Sequence, residues 1–186
     1  MSHVQVVAAA LGAKVSATGL KQNQGKYVQS GTGPAYWGPG DEVTFLITGE
    51  ETGGAVFMSE MSVPPEGGPP PHIHHREDEA FFVLEGEITF TLADRKVAAK
   101  PGSFIQGPRG IPHAFKNESQ APARMLILVT PPGFEKFMAE FAQPVASFDS
   151  PPLPVTPADI QKLLAVAPRY GIEILPPSGS AHAEES

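Results

Sequence analysis

Short strand-forming runs separated by glycine and proline are the feature of this sequence that most constrains its fold. Runs rich in Val, Ile, Phe and Thr span residues 41–49, 55–63, 80–92 and 123–129. The 186-residue chain contains 19 glycines and 21 prolines, which favour turns over long regular elements. Turn-like breaks at Glu85-Gly86 and Asp94-Arg95 divide the runs further. The pattern predicts an all-β domain built from consecutive antiparallel hairpins.

Helical periodicity begins only after the last of these runs. Residues 131–142 place four apolar side chains on one helical face: Phe134, Phe137, Met138 and Phe141. Such a stripe is more often part of a core than a lid over a pocket. Thr156 can cap a second helix with Asp159 as the third-residue acid, and its apolar stripe would be Ile160, Leu163 and Leu164. The sequence therefore predicts two short C-terminal helices joined by a Pro-rich connector at residues 143–155.

Composition excludes several classes of function. The formal net charge is -7, and clustered Lys and Arg of the kind that bind nucleic acid are missing from the sequence. The sequence has no cysteine, which excludes disulfides, thiolate catalysis and Cys-ligated zinc. It shows neither a basic leader nor a run of about 18 apolar residues. We therefore expect a soluble cytoplasmic protein that acts on a small molecule and binds neither nucleic acid nor membrane.

Three of the six histidines lie within residues 72–75. In a strand, His72 and His74 share one face, while Ile73 and His75 point the other way. A loop or bulge within residues 75–79 would bring Glu79 to the side of the two imidazoles. Glu77 and Asp78 compete with Glu79 for that place.

A second segment contributes one more histidine, His113, which follows a rigid Pro/Gly turn between strand-forming residues. Three imidazoles and one carboxylate suit a single divalent transition metal such as Fe, Ni, Mn or Co. An octahedral ion would keep two positions for water, substrate or dioxygen. We expect His72, His74, Glu79 and His113 to hold this metal.

The two histidine segments resemble the paired signatures of the cupin superfamily. The first signature reads Gly, five residues, His-x-His, three or four residues, Glu, six residues and Gly. This chain has His72-x-His74, four residues, Glu79, six residues and Gly86, although Gly67 lies one residue too close to His72. The second signature is matched throughout by Gly102, Pro108-x-Gly110, His113 and Asn117. The resemblance implies a single jelly-roll-like antiparallel β-barrel with the metal inside.

The whole layout also resembles the single-cupin proteins called quercetin 2,3-dioxygenase-like. That resemblance implies a dioxygenase that opens a flavonol-like or other enolic or aromatic substrate, with dioxygen as co-substrate and Glu79 as the base. We expect an apolar substrate pocket formed by Met58, Phe81, Phe90 and Phe115. A non-catalytic cupin that binds a metal or small ligand is the alternative. A metal-dependent isomerase or lyase would want inward Arg or Lys, which the sequence does not clearly provide.

The chain divides into three regions on this interpretation. Residues 1–39 form an N-terminal extension with strand-like pieces at 13–19 and 26–30, and residues 40–130 form the cupin barrel. Residues 131–186 hold the helices, the connector and a disordered tail at 178–186. Strands outside the barrel core would cover a sheet edge best by pairing across a homodimer.

Overall fold

The structure is a computed structural model that describes residues 25–145 and 154–176. The predicted strand at 13–19 and the predicted tail at 178–186 lie outside the described residues. Residues 26–30 are described and form no strand. The N-terminal region instead contributes a short strand at Ala35–Trp37.

The described residues form two antiparallel sheets. Twelve strands follow in chain order: β1 Ala35–Trp37, β2 Glu42–Ile47, β3 Phe57–Val63, β4 His72–His74, β5 Asp78–Glu85, β6 Ile88–Leu92, β7 Arg95–Ala99, β8 Phe104–Gly107, β9 His113–Lys116, β10 Ala123–Thr130, β11 Gln143–Pro144 and β12 Ile172–Ile174. One sheet has the order β11-β1-β2-β3-β10-β5-β8, and the other has the order β12-β4-β9-β6-β7.

The two sheets pack face to face over an aromatic core. Phe81 on β5 lies 5.2 Å from Phe90 on β6 and 5.9 Å from Phe115 on β9, measured between ring centroids. All three side chains are buried. The predicted all-β fold is therefore confirmed. The predicted jelly-roll-like barrel takes the form of a sandwich, because the described strands form two separate hydrogen-bonded ladders.

The turn at Gly86 is a crossover between the sheets and not the predicted hairpin. Strand β5 pairs with β10 and β8, whereas β6 pairs with β7 and β9. Gly86 has φ 73°, and a Cβ there would lie 2.8 Å from the Cβ of Ala123. Glycine is thus needed for both the backbone conformation and the close approach. The break at Asp94 does form a hairpin, in which Leu92 pairs with Arg95.

Both predicted helices are present. Helix α1 spans Phe134–Phe141 and buries Phe137, Met138 and Phe141. The buried Glu135 fixes its start, because its carboxylate accepts hydrogen bonds from the backbone N–H groups of Gly49, at 3.0 Å, and Gly133, at 2.9 Å.

Helix α2 spans Pro157–Val166 and starts with the predicted capping box of Thr156 and Asp159. It buries Leu163 and Val166, but Leu164 is 44% exposed, so Leu164 is not part of the buried stripe. A 3₁₀ turn, Ala167–Tyr170, leads from α2 into β12. Within the described ranges, neither helix has the length and apolar character needed to cross a membrane.

Candidate metal centre

Strand pairing assembles the four predicted ligands. His72 on β4 lies opposite His113 on β9 in the five-stranded sheet, and His74 shares the inward face of β4. The chain leaves β4 as a loop and returns as β5, which carries Glu79. His72, His74, Glu79 and His113 are all buried. His75 points outward, as expected, with 51% of its side chain exposed.

One ligand atom from each of His72, His74, Glu79 and His113 lies within 4.8 Å of the other three. The shortest contact joins His113 Nε2 to Glu79 Oε2 at 2.8 Å. His74 Nε2 lies 3.5 Å from the same carboxylate oxygen. A single ion at the centre of this group is therefore within reach of all four side chains.

The outer nitrogen of each imidazole is already engaged. His72 Nδ1 lies 2.8 Å from the carbonyl oxygen of Pro70, and His113 Nδ1 lies 3.1 Å from that of Ile111. His74 Nδ1 lies 2.8 Å from Glu77 Oε2. Because carbonyl and carboxylate oxygens only accept, these Nδ1 atoms carry the protons. In a neutral ring, Nε2 then presents a lone pair to the centre of the cluster.

This arrangement fits a bound cation. The buried His74 Nε2 has no hydrogen-bond partner within the described part of the chain. His113 Nε2 and Glu79 Oε2 would both be acceptors at 2.8 Å, so a proton or a metal ion must lie between them. Three imidazoles and one carboxylate suit a borderline divalent metal. The cluster could therefore hold one such ion through His72, His74, Glu79 and His113.

The charge state of the cluster without an ion supports the same conclusion. Burial raises the pKa of Glu79, but the imidazoles of His74, His113 and His72 outweigh burial and lower that pKa to about 2. Burial lowers the pKa of His74, yet the nearby Glu79 and Glu77 carboxylates outweigh it and raise that pKa. Burial lowers the pKa of His72 to about 3. An ionised Glu79 carboxylate is thus buried beside the imidazoles and needs a positive charge to balance it. A divalent ion would supply that charge.

Glu77 has a role that the sequence did not reveal. The sequence leaves Glu77 as an alternative to Glu79 for the metal ligand. In the structure, its carboxylate contacts the outer nitrogen of His74 and not the centre of the cluster. It is 4% exposed and packs against Gly133, where a Cβ would lie 2.8 Å from Glu77 Oε1. Glu77 therefore orients the His74 ring and increases the basicity of its inner nitrogen.

Replacing Glu77 with Gln should weaken metal binding without removing it. The amide keeps the shape and one acceptor oxygen but loses the charge beside His74. We expect the dissociation constant for the metal to rise roughly 10–100-fold, as is typical for outer-shell carboxylates, in a chelator competition assay. Glu173→Gln is a matched control, because Glu173 makes the same 2.8 Å contact to the exposed His75. Equal affinities for the two variants would contradict the role assigned to Glu77.

The cluster faces an apolar cavity between the sheets and the two helices. The cavity volume is about 60 Å³. Of the residues predicted to form the pocket, Phe81 and Phe115 line this cavity. Strand β12 contributes Ile172 and Ile174 to its wall. Helices α1 and α2 add five more apolar side chains: Phe134, Phe137, Met138, Phe141 and Leu163. The predicted core stripe of α1 is thus also a wall of the cavity.

Met58 and Phe90 do not line the cavity, which corrects the sequence-based prediction for these two residues. Residues Phe57, Ser59, Met61 and Val63 of β3 face the core, and strand alternation turns Met58 to the opposite face. Met61 lines the cavity instead. Phe90 is buried behind the wall, in contact with Phe81 and Phe115.

Part of this chain is similar to known proteins. Residues 59–129 match the family model described as Cupin domain. A probable germin-like protein of Arabidopsis thaliana, subfamily 2 member 5, is 38% identical over 76 residues, which cover 38% of this chain and 36% of that protein. Quercetin 2,3-dioxygenase of Bacillus subtilis is 24% identical over 106 residues, which cover 56% of this chain and 31% of that protein. The chain spans about a third of the length of these curated relatives.

Two solved structures are similar to part of this chain. The polyketide cyclase RemF of Streptomyces resistomycificus is similar with a TM-score of 0.50 and 29% identity, over 56% of this chain and 78% of that chain. A predicted oxalate decarboxylase of Thermotoga maritima gives a TM-score of 0.49 and 21% identity, over 52% of this chain and 90% of that chain.

The two facing antiparallel sheets and the inward His/Glu cluster define a double-sheet β protein with an internal candidate metal site. Residues 59–129 are a cupin domain of the cupin superfamily.

Proposed function

We propose that this protein is a metal-dependent dioxygenase that acts on an enolic substrate. The observation that carries the proposal is the convergence of three imidazole Nε2 atoms and the Glu79 carboxylate at the wall of a buried apolar cavity. A divalent transition metal held by His72, His74, Glu79 and His113 would supply Lewis acidity and redox chemistry toward dioxygen.

Glu79 is the residue proposed to move the proton. It lines the same cavity as Phe81 and Phe115, so a substrate held there can reach it. Glu79 would take the proton of the enol hydroxyl on its carboxylate oxygen, which leaves the substrate as an enolate.

The remaining wall holds the substrate and excludes water. Aromatic side chains from β5, β9 and α1 surround the cluster, and a dry apolar wall strengthens electrostatic interactions inside the site. The cavity of about 60 Å³ is small beside the roughly 300–1,000 Å³ of pockets for drug-sized ligands. This size favours a small enediol or diketone over a complete flavonol.

The comparisons support the substrate class more than the reaction. The Bacillus subtilis relative is a quercetin 2,3-dioxygenase and the structural relative RemF is a polyketide cyclase. Quercetin and polyketides are both enolisable, oxygen-rich molecules. A metal-dependent reaction without dioxygen on such a molecule is therefore the second candidate.

An isomerase or lyase that holds a carboxylate is less favoured. Among the described residues, no Arg or Lys lines the cavity. Arg109 pairs with Asp78, Lys116 with Glu66, and Arg124 with Glu60 and Glu85, as three surface ion pairs or networks. These basic side chains are thus engaged away from the cavity.

Oxygen uptake tests the proposal. The protein is loaded separately with Fe, Ni, Mn or Co and incubated with a flavonol, a small enediol and a small diketone. We expect metal-dependent oxygen consumption, greatest with a small enolic compound. Substrate conversion without oxygen uptake would support the second candidate. Binding without any conversion would identify a non-catalytic ligand-binding cupin and would overturn the enzymatic proposal.

We also propose a homodimer. Phe82 and Phe104 lie opposite each other on β5 and β8, and they are 42% and 64% exposed. Strand β8 ends the seven-stranded order within the described chain, so this aromatic pair stands beside an open sheet edge that a second copy would cover. Light scattering should give twice the 19.7 kDa chain mass, and Phe104→Lys should shift it toward monomer. A monomer at micromolar concentration before substitution would contradict the dimer.

A further inference from the structure

Asp41 is a buried carboxyl of the cavity that the proposed chemistry does not use. It directly precedes β2 and is 6% exposed. Strand alternation places it on the inward face with Val43 and Phe45, which are core residues. It lines the same cavity as His72, His74 and Glu79. The cavity wall therefore contains a second acidic group.

Asp41 lies on a different part of the wall from the metal cluster. It adjoins β2, whereas Glu79 is on β5, and β3 and β10 lie between these strands in the sheet. The loop that carries Asp41 is joined to the segment before β4, because Gly68 N donates to Gly40 O at 3.1 Å. The cavity thus has polar groups on two parts of its wall, which are the metal cluster and Asp41 beside β2.

The carboxyl of Asp41 has no hydrogen-bond or ion-pair partner among residues 25–145 and 154–176. Its nearest surroundings are a tight turn, where a Cβ on Gly38 would lie 2.8 Å from Asp41 Oδ1. Burial raises the pKa of Asp41 to about 7. The other titratable groups on the cavity wall are His72, His74 and Glu79, and the turns at residues 38–40 and 67–70 contribute none. Because Asp41 lines the cavity, its carboxyl is placed to form a hydrogen bond with a ligand bound there.

We propose that Asp41 forms a hydrogen bond to an oxygen of the substrate on a part of the cavity wall separate from the metal cluster. This inference rests on the proposed function and deepens it. The substrate class becomes small enolic molecules with a second hydroxyl or carbonyl oxygen across the molecule from the enol. Asp41 is then a specificity-determining residue, which distinguishes such molecules from analogues that lack the second oxygen.

Two 3-hydroxy-4-pyranones test this role without turnover. Kojic acid and allomaltol present the same enol and carbonyl oxygens, but kojic acid has a hydroxymethyl group where allomaltol has a methyl group. Binding of each to the metal-loaded protein is measured without oxygen at pH 6. We expect kojic acid to bind about 10-fold more tightly than allomaltol, as one buried hydrogen bond implies. This ratio should fall toward one in Asp41→Ala and persist in Asp41→Asn, whose amide still donates.

Asp94→Asn is the control, because Asp94 lies in an exposed hairpin turn. It should leave the ratio unchanged. An unchanged ratio in Asp41→Ala with full metal content would overturn the inference, and so would failure of both compounds to bind the parent protein. The affinity ratio of kojic acid to allomaltol could still depend on Asp41 in a protein that consumes no oxygen. That result would overturn the dioxygenase proposal and leave this inference standing.

A stability measurement tests the protonation state of Asp41 separately. A group whose folded pKa is raised binds its proton more tightly in the folded state, so the parent protein should lose stability as pH rises from about 4 to about 7. Asp41→Asn lacks this contribution, while the other titrating groups are common to both proteins. Its urea unfolding midpoint should therefore increase relative to the parent between pH 4 and pH 8. A difference that does not change with pH would show that Asp41 is not held in its protonated form.

Discussion

Replacing His72, His74 or His113 with Ala should remove stoichiometric metal binding. Each substitution deletes one of the imidazoles whose inner nitrogen faces the cluster centre. It also leaves the Glu79 carboxylate buried with less compensating charge. The loss in affinity should exceed the roughly 100-fold upper range for outer-shell residues. Elemental analysis of the purified variants after dialysis against metal gives the measurement.

His75→Ala is the matched control for these three variants. His75 belongs to the same short segment but is exposed and pairs with Glu173 on the surface. It should keep the metal content of the parent protein. Full metal content in all three cluster variants would show that the proposed site is wrong, whereas loss of metal in the His75 variant would point to a general effect on folding.

Glu79→Gln should separate metal binding from proton transfer. The amide preserves the shape and one oxygen donor, and three imidazoles remain, so the metal should be weakened only in part. The variant can no longer accept the enol proton on a carboxylate. We expect turnover per bound metal to fall by roughly 10²–10⁴-fold, the usual contribution of a general base, while the substrate still binds.

This experiment uses metal-reloaded protein and compares oxygen uptake with metal content in the same sample. Glu173→Gln provides the control, because it removes one negative charge from an exposed carboxylate. Activity per metal close to the parent value in Glu79→Gln would refute the catalytic role of Glu79 and leave the metal site intact.

The sequence predicted the parts of the site that depend on local periodicity. Strand alternation brings His72 and His74 to one face, and the structure shows both inward with His75 outside. The cap of α2 was likewise predicted, because Thr156 and Asp159 interact within one helical turn. These features involve residues that are near one another in the chain, where spacing determines geometry.

Features that depend on which strands become neighbours could not be predicted in the same way. The break at Gly86 reads as a hairpin, but the chain changes sheets there, which only the pairing of β5 with β10 and of β6 with β9 reveals. The choice of Met58 for the pocket failed because the inward face of β3 carries Met61. Alternation along β3 was the available signal, because Phe57, Met61 and Val63 are apolar and lie on one face while Met58 lies on the other.

The roles of Glu77 and Asp41 were missed for related reasons. Glu77 stands in a loop, where alternation gives no direction, and only its 2.8 Å contact with His74 reveals its role. Strand alternation places Asp41 on the same face as the apolar Val43 and Phe45, so the sequence could have predicted that it points inward. Its place in the cavity, however, depends on the packing of its loop against residues 67–68, which are distant in sequence.

Anomalous diffraction from crystals of the metal-loaded protein tests the central claim most directly. Data collected at the absorption edge of the loaded metal locate that ion independently of any activity. We predict one strong peak per chain, within about 2.0–2.2 Å of His72 Nε2, His74 Nε2 and His113 Nε2 and of a Glu79 oxygen, by analogy with the bond lengths of zinc sites. A fully loaded protein whose peak lies elsewhere, with Glu79 still in direct contact with His113, would contradict the proposed metal centre.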